Sequence, residues 1–332
     1  MKVKIIAEAG VNHNGSISKA LKLVDIASKA GADYVKFQLF DPSKLVTKDT
    51  ALADYQRKNL KSNISQFQML KKINLTQKQV IKIHKYCKKK KIKFLATAFD
   101  INNLKFLLKL GQDYIKIPSG EITNGELLDF VRKRKEKVIL STGASSIKDI
   151  KIAIKKLKKK VGDLIIMHCN SSYPAKLNEL NLNVITNFQK IFKNLIGYSD
   201  HSLSITVPAV TIALGAKVLE KHFTLNRNLS GPDHKASLTP YELKDMIKRI
   251  RETEMTLGKS KKFITKNESK NKDIIRRSIY ASKFIKKGEK FSEKNLICLR
   301  PDKGISAIYW KNIIGKRAIK NFKENEKIKK KK

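Results

Sequence analysis

The sequence predicts a (β/α)₈ barrel followed by a small β-rich domain. Eight short runs rich in β-forming residues recur along the chain, and segments of helical periodicity separate them. After residue 257 the composition becomes polar and then changes to short strand-like pieces. Successive strand–helix units of this number are the expected pattern of a closed parallel barrel. The predicted strands are residues 3–9, 33–40, 92–99, 114–118, 137–143, 163–169, 195–201 and 218–225.

The segments between these runs have the period of amphipathic helices. Ser16 can cap a helix whose Leu23 and Ala27 share one face, and residues 147–157 and 202–214 follow the same pattern. An open, doubly wound sheet is the alternative fold. It is less favoured because eight units close a barrel, and because no glycine-rich dinucleotide loop follows the first strand.

The barrel is predicted to take residues 1–257. The chain after it divides into three segments. Residues 258–273 are polar and predict a linker. Residues 274–328 contain strand-like pieces and turn signals, and so small a domain is expected to dock on the barrel or on another chain. Residues 329–332 predict a disordered basic tail.

Composition places the protein in the cytoplasm without membrane association. No apolar run approaches the roughly 20 residues that a membrane helix needs, and Glu8 interrupts the first apolar stretch too early for a signal peptide. Cys87, Cys169 and Cys298 are odd in number and widely spaced, which indicates reduced thiols and no zinc site.

The formal net charge of +43 suggests nucleic-acid binding, but its distribution does not. Of the 72 basic residues 62 are lysines, spread over nearly every predicted helix. Nucleic-acid-binding proteins cluster their basic residues and favour arginine for bidentate contacts. The charge is therefore interpreted as solvated surface, and DNA or RNA binding stays only as the alternative that charge alone supports.

Polar side chains gather where the predicted strands end, which is the functional face of such barrels. Because side chains alternate along a strand, Lys36 and Gln38 share one face, and so do Glu220 and His222. Their apolar neighbours face the outer helices, so this polar set faces the barrel axis, where Glu220 can orient a lysine. Lys221 points outward, where it can snorkel to solvent.

Six residues of this set predict a binding site for phosphate and carboxylate groups. Lysines supply positive charge and hydroxyls supply hydrogen-bond donors. Each residue alone fits a surface lysine or a helix cap, but their succession on neighbouring strands favours an anionic ligand. The six are Lys36, Thr97, Lys116, Ser119, Ser141 and Ser199.

Two histidines predict a divalent metal site at the same mouth. His201 and His222 lie at the ends of neighbouring strands seven and eight, and two imidazoles can bind a metal that keeps positions open for water or substrate. His13, His168 and His234 are weaker ligand candidates.

Eight segments in order resemble the bacterial N-acetylneuraminate (sialic acid) synthase family. They are AEAGVNHNGS, VKFQ, KIPSGE, LSTG, HCNSSYP, GYSDHS, LEKHFT and GPDHKASL. The resemblance continues in RRSIYASKFIKKGE and LRPDKGIS, which are similar to the family's C-terminal antifreeze-like (SAF) domain. It implies an enzyme that condenses phosphoenolpyruvate with an N-acyl amino sugar, using Mn²⁺ or Mg²⁺, in a domain-swapped homodimer.

The resemblance also implies a role for each matched residue. Either Glu8 or Glu121 would position the attacking water, and Arg300 would reach the sugar's N-acyl group from the partner chain. The implied phosphoenolpyruvate site is Lys36, Thr97, Lys116, Ser119, Ser141, Ser171 and Ser199; the metal ligands are His201 and His222; the reaction centre has Glu8, Gln38 and Glu121; the sugar contacts are Tyr173, Asp233 and Arg300.

The predicted reaction joins phosphoenolpyruvate to N-acetylmannosamine and gives N-acetylneuraminate and phosphate. The alternative is a legionaminic acid synthase, which uses 2,4-diacetamido-2,4,6-trideoxymannose. The loop GPDHKASL resembles both branches more than the pseudaminate one. A phosphorylated acceptor would need extra basic residues at the mouth, such as Lys221 and Lys235.

Overall fold

The computed structural model describes residues 2–60 and 62–329, which form two compact units. The first unit extends to Gly258 and the second begins at Lys259. Of the predicted basic tail, residues 330–332 lie outside the described residues. No helix in the described part of the chain is both long and apolar enough to cross a membrane.

Eight parallel strands close the first unit into a barrel, which confirms the predicted fold. The strands follow chain order around the barrel, and the eighth pairs with the first in a register that sets Glu8 opposite His222. The strands are β1 Lys4–Gly10, β2 Tyr34–Leu39, β3 Lys93–Ala98, β4 Tyr114–Ile117, β5 Lys137–Ser141, β6 Leu164–Cys169, β7 Leu195–Asp200 and β8 Val218–His222.

The axis-facing side of the strands changes from apolar to polar along their length. Tyr34, Tyr114 and Val218 belong to an apolar cluster near the amino-terminal ends of the strands. Two residues later, on the same side of each strand, the chain places Lys36, Lys116 and Glu220. The apolar layer therefore fills the lower barrel, and the polar layer occupies the carboxyl-terminal mouth.

Ten helices among the described residues of the first unit surround this barrel. Ser16 caps the first by accepting a hydrogen bond from the Lys19 backbone N–H, and residues 147–157 are helical as predicted. The helices are α1 Ile17–Ala30, α2 Asp54–Leu60, α3 Gln66–Ile73, α4 Gln77–Lys89, α5 Ile101–Lys109, α6 Gly125–Arg132, α7 Ile147–Leu157, α8 Asn183–Ile191, α9 Val207–Ala213 and α10 Pro240–Leu257.

The connection between β2 and β3 contains three helices where the strand–helix repeat predicts one. α4 fills the place of the regular barrel helix, and α2 and α3 are additions. The Asn59 side-chain amide of α2 donates to the Pro232 carbonyl, at 2.7 Å, which fastens α2 to the loop after β8. Residues of both additional helices line a cavity at the carboxyl-terminal mouth.

The predicted start of the helix at residue 202 is wrong, because α9 begins only at Val207. The Ser202 N–H donates to Asp200 Oδ1, and Ser204 Oγ accepts from the Thr206 and Val207 N–H groups. Short polar side chains that bond to nearby backbone hold a turn in place of a helix.

The predicted exposure of Lys221 is also wrong. Its side chain does face away from the barrel axis, but it is fully buried and pairs with Asp200. A lysine can remain charged there because an acidic partner lies within hydrogen-bonding distance. Lys221 therefore does not extend to solvent and adds no charge to the mouth.

The second unit has its own small core. Its elements are α11 Lys266–Ile275, the antiparallel strands β9 Ser278–Ala281 and β10 Leu296–Leu299, and α12 Trp310–Ile313. Ile279, Ile285 and Phe322 are fully buried in this core. α11 begins inside residues 258–273, the predicted linker, with Thr265 and Glu268 forming a capping box.

Candidate active site

The carboxyl-terminal ends of the barrel strands surround a cavity of about 280 Å³. The cavity lining includes every predicted site residue of the first unit except Glu121. The predicted residues around the cavity are Glu8, Lys36, Gln38, Thr97, Lys116, Ser119, Ser141, Ser171, Tyr173, Ser199, His201, His222 and Asp233.

Two buried lysines and two buried glutamates form the floor of this cavity. Lys36 Nζ is 2.9 Å from Glu8 Oε1 and 3.5 Å from Glu220 Oε1. Lys116 Nζ is 3.5 Å from Glu220 Oε2. Glu220 therefore bridges the two ammonium groups, which confirms its orientation toward the axis and toward Lys116.

Burial and neighbouring charges determine the ionisation of this floor. Burial opposes ionisation of Glu220, but Lys116 and Lys36 outweigh it and hold its pKa at about 2. Burial raises the pKa of Glu8, although Lys36 partly opposes the change. Burial also opposes the charge of Lys36, but Glu220 and Glu8 raise its pKa. The floor thus combines cationic Lys36, anionic Glu220 and a second carboxyl that accepts a proton readily.

Hydroxyl groups at the ends of neighbouring strands lie beside the two lysines and accept hydrogen bonds from them. Lys36 donates to Thr97 Oγ1 at 3.1 Å, and Lys116 donates to Ser141 Oγ at 2.7 Å. Ser119 Oγ accepts the Gly143 N–H at 2.9 Å. A Cβ on Gly143 would lie 2.4 Å from Ser171 Oγ, so only glycine leaves room for this hydroxyl cluster. The arrangement suits oxygen-rich anions, which need charge and several donors at once.

The two imidazoles converge on the same cavity. The ring centroids of His201 and His222 are 5.5 Å apart. His201 Nδ1 donates to the Asn170 carbonyl, so its Nε2 keeps the lone pair. His222 Nδ1 is buried and has no hydrogen-bond partner. Burial lowers the pKa of both rings, which are neutral at physiological pH.

These rings fit a divalent metal with an open coordination sphere. Neutral imidazole nitrogens are good ligands, and the carbonyl that accepts from His201 is the usual second-sphere partner of a ligating histidine. No group of three or more His, Cys, Asp or Glu side chains in the described residues is arranged to hold a metal. An ion held by His201 and His222 would therefore take its other ligands from water and substrate.

Two tyrosine rings from different segments of the chain lie beside the imidazoles. Tyr173 is centred 4.2 Å from His201, and Tyr55 stacks on Tyr173 at 5.1 Å. Asp233 lies beside this stack, and burial raises its pKa to about 7. The apolar part of the cavity lining consists of Val11, Met69, Leu70, Ile73 and Phe99.

The cavity lining does not include Glu121. Glu121 ends the short 3₁₀ turn Ser119–Glu121, and its carboxylate accepts a hydrogen bond from the Asn124 side chain at 2.6 Å. Arg300 belongs to the second unit, directly after β10. Of the two glutamates that the resemblance implies for positioning water, Glu8 is the one that lines the cavity.

Several cavity residues were missing from the predicted set. Tyr55 and Gln56 come from α2, and Met69, Leu70 and Ile73 come from α3. Their signal in the sequence was the length of the β2–β3 connection, since long connections in a barrel commonly carry function.

The three weaker histidine candidates do not line the cavity. Each ring is held by a hydrogen bond to a neighbouring group, which is the ordinary state of a buried histidine. The contacts are His13 with Gly15, His168 with Leu180, and His234 with Thr224.

The fold and the site together define a class of protein. The mouth of this closed barrel combines buried lysines, a row of hydroxyls and two neutral imidazoles, and such a mouth has the charge and the hydrogen-bond donors to bind a small anionic substrate.

Comparisons with known proteins agree with this class. Residues 23–262 match the NeuB family and residues 276–332 match the SAF domain. The chain is 45% identical to N,N'-diacetyllegionaminic acid synthase of Campylobacter jejuni, over 98% of this chain and 99% of that protein. It is 39% identical to the same synthase of Legionella pneumophila, over 96% and 91%.

A solved structure of a related synthase is also similar to this chain. The N-acetylneuraminic acid (sialic acid) synthetase of Leptospira borgpetersenii, crystallised with citrate, is 33% identical, with a TM-score of 0.72 over 82% of this chain and 90% of that one. The chain therefore belongs to the NeuB family and carries a SAF domain. It is an enzyme, a carbon–carbon bond-forming transferase of the type that condenses phosphoenolpyruvate.

Proposed function

We propose that this enzyme condenses phosphoenolpyruvate with 2,4-diacetamido-2,4,6-trideoxymannose to give N,N'-diacetyllegionaminic acid and phosphate. The similarity to legionaminic acid synthases carries the proposal, since it reaches 45% identity over nearly the whole chain against 33% for the sialic acid synthetase. The comparisons thus favour the alternative acceptor over N-acetylmannosamine.

Phosphoenolpyruvate is proposed to bind on the floor of the cavity. Lys36 and Lys116 would bind its phosphate and carboxylate, and the hydroxyls beside them would donate to the remaining oxygens. The buried carboxylate of Glu220 keeps both ammonium groups in place before the substrate arrives. The remaining proposed contacts are Thr97, Ser119, Ser141, Ser171 and Ser199.

Glu8 is proposed to act at C2 of phosphoenolpyruvate. A bond forms between C3 and the aldehyde carbon of the acceptor, and positive charge develops at C2, where water then adds. The tetrahedral intermediate loses phosphate and leaves the keto acid. Glu8 Oε1 accepts hydrogen bonds from Lys36 and from the Gln38 amide nitrogen, which lies 3.2 Å away. Glu8 Oε2 is buried and has no hydrogen-bond partner. That free oxygen can orient the water and take its proton.

His201 and His222 are proposed to hold Mn²⁺ or Mg²⁺ close to the acceptor. When bound, the ion would polarise the aldehyde oxygen as a Lewis acid. The protein itself would contribute two neutral imidazole nitrogens as metal ligands, and the hydrogen bond to Asn170 fixes the tautomer of His201.

The acceptor is proposed to lie against the aromatic stack and the apolar part of the cavity lining. Tyr173 and Asp233 would bind its polar groups. The wall that includes Met69, Leu70 and Phe99 suits the methyl groups of a 6-deoxy, diacetamido sugar. A free hydroxyl against such a wall would lose its hydrogen bonds to water without replacement.

A comparison of acceptors tests this assignment. Phosphate release from phosphoenolpyruvate is measured with Mn²⁺ and each of three acceptors: the trideoxy sugar, N-acetylmannosamine and its 6-phosphate. We expect kcat/KM to be highest for the trideoxy sugar, by about 100-fold, since hydroxyl and methyl differences in such pockets are worth this much. Equal or faster turnover of N-acetylmannosamine, with its product confirmed by mass, would contradict the proposal.

The chain is further proposed to act as a homodimer in which Arg300 of one chain contacts the acceptor bound by the other. Mixing two inactive variants, Arg300→Ala and His222→Ala, tests this geometry. In a swapped heterodimer one site receives both intact residues, so activity returns after subunit exchange. No recovery, although exchange is demonstrated by mass, would argue against swapping.

A further inference from the structure

A buried ion pair lies directly behind the two imidazoles. Lys221 Nζ is 2.6 Å from Asp200 Oδ2, and both side chains have 0% exposure. Lys221 stands between Glu220 and His222 on β8, and Asp200 precedes His201 at the end of β7. Because side chains alternate along a strand, His201, Glu220 and His222 face the cavity, whereas Asp200 and Lys221 point to the opposite side of the sheet.

The pair is completely satisfied by hydrogen bonds. Besides Asp200, Lys221 donates to the carbonyls of Ser202, at 2.5 Å, and Ser204, at 3.1 Å. Asp200 Oδ1 accepts the Ser202 N–H at 2.8 Å. All three ammonium protons have acceptors, so the pair joins β8 to β7 and also holds the turn by which the chain leaves β7 after His201.

The pair lies where the backbone pairing of the two strands stops. Asp200 opposite Lys221 is the last matched position between β7 and β8, and the two imidazoles follow immediately. The His201 ring is held by the Asn170 carbonyl, but His222 Nδ1 has no hydrogen-bond partner. β1 holds the other side of His222, which lies opposite Glu8, so at this level the contact of β8 with β7 is the Asp200–Lys221 pair.

We propose that Lys221 and Asp200 are positioning residues that set the separation of His201 and His222, and thereby the affinity of the site for a divalent ion. The inference rests on the proposed metal role of these histidines. Stability alone does not require a charged pair here, because apolar residues of similar volume commonly replace a buried ion pair without loss. The hydrogen bonds of the pair are directional, so they fix the position of β8 relative to β7 and to the turn that follows β7.

The double variant Asp200→Asn with Lys221→Met tests the proposal. It removes both charges together, and the asparagine oxygen can still accept the Ser202 N–H. The measurements on the full chain are Mn²⁺ binding by titration calorimetry, the midpoint of urea unfolding, and KM for phosphoenolpyruvate. We expect an unchanged unfolding midpoint, a Kd for Mn²⁺ raised about 10- to 100-fold, and an unchanged KM because Lys36 and Lys116 are intact.

A partly exposed ion pair at the other end of the barrel is the control. Arg251 lies 2.9 Å from Asp33, which precedes β2 at its amino-terminal end. Asp33→Asn with Arg251→Met should leave the Kd for Mn²⁺ unchanged. A Kd within twofold of the parent in the first double variant, or an equal loss in both double variants, would overturn the positioning role.

Failure of the variant to fold and failure of the parent protein to bind Mn²⁺ can each be distinguished from failure of the proposal. If the first double variant does not fold, Lys221→Arg is measured in the same way and judged by the same limits, because arginine keeps a positive charge beside Asp200 but changes the length and the direction of its donors. If the unmodified protein binds no Mn²⁺, the metal assignment fails and this inference fails with it. That result differs from equal affinity in parent and variant, which would overturn the pair alone.

Discussion

Replacing Glu220 with glutamine is expected to destabilise the barrel by about 3 kcal/mol at neutral pH. Glu220 is the carboxylate between Lys36 and Lys116, 3.5 Å from each ammonium nitrogen. Glutamine keeps the shape of the side chain but removes the carboxylate that Lys36 and Lys116 share, and leaves Glu8 beside Lys36 as the remaining carboxylate partner. Breaking a buried ion pair by removing one member commonly costs about 3–5 kcal/mol.

The ionisation of Glu220 leads to the same magnitude. Its pKa falls from an ordinary value of 4.5 to about 2 in the folded protein. Such a difference between the two states corresponds to about 3 kcal/mol of stability at neutral pH. Coulomb attraction at 3.5 Å is larger, about 5 kcal/mol for each pair at an effective dielectric constant of 20, but desolvation of the three charges offsets much of it.

The sign of the pH dependence follows from the lowered pKa. Because the folded pKa lies below the unfolded one, the contribution of Glu220 is fully present above pH 4.5 and is lost as the pH falls toward 2. The difference in unfolding free energy between parent and variant should shrink from about 3 kcal/mol at pH 7 to about 1.5 kcal/mol at pH 3.

Urea unfolding at pH 7 and pH 3 measures this difference. Far-UV circular dichroism is the suitable signal, since the one tryptophan, Trp310, lies in the second unit. The control is Glu252→Gln, which removes an exposed carboxylate 3.8 Å from Lys248 and should cost under about 1 kcal/mol. A loss below 1 kcal/mol for Glu220→Gln at pH 7, or an equal loss at both pH values, would refute the reasoning.

Three more predictions concern the reaction. His222→Ala should keep the unfolding midpoint but lose Mn²⁺ binding in calorimetry and phosphate release; full activity would exclude this histidine as a ligand. Gly143→Ala should raise KM for phosphoenolpyruvate about tenfold or more, because its Cβ would lie 2.4 Å from Ser171 Oγ; an unchanged KM would show that the hydroxyl cluster does not touch this substrate. Glu8→Gln should lower kcat about 100-fold or more, whereas Glu121→Gln, outside the cavity, should change kcat little; the reverse order would assign the water to Glu121.

The barrel and most of its mouth could be predicted because they depend on local patterns. Period-two alternation places Lys36 and Gln38 on one side of β2, and a closed barrel brings the ends of all strands to one face. Glu121 shows where such reasoning stops. It follows the strand end of β4 in sequence, but the 3₁₀ turn Ser119–Glu121 directs its carboxylate to Asn124.

The sequence by itself determined the eight strands, the polar layer at their carboxyl ends and the two converging histidines, since residue type and spacing along a strand are local properties. The tertiary structure alone decided the burial of Lys221 and the entry of Tyr55 into the site. Lys221 has the sequence pattern of a surface residue, but β7 places Asp200 beside it. Tyr55 stacks on Tyr173 from α2, a helix that also bonds to the loop after β8. Both depend on contacts between residues far apart in the chain, and spacing carries no signal for such contacts.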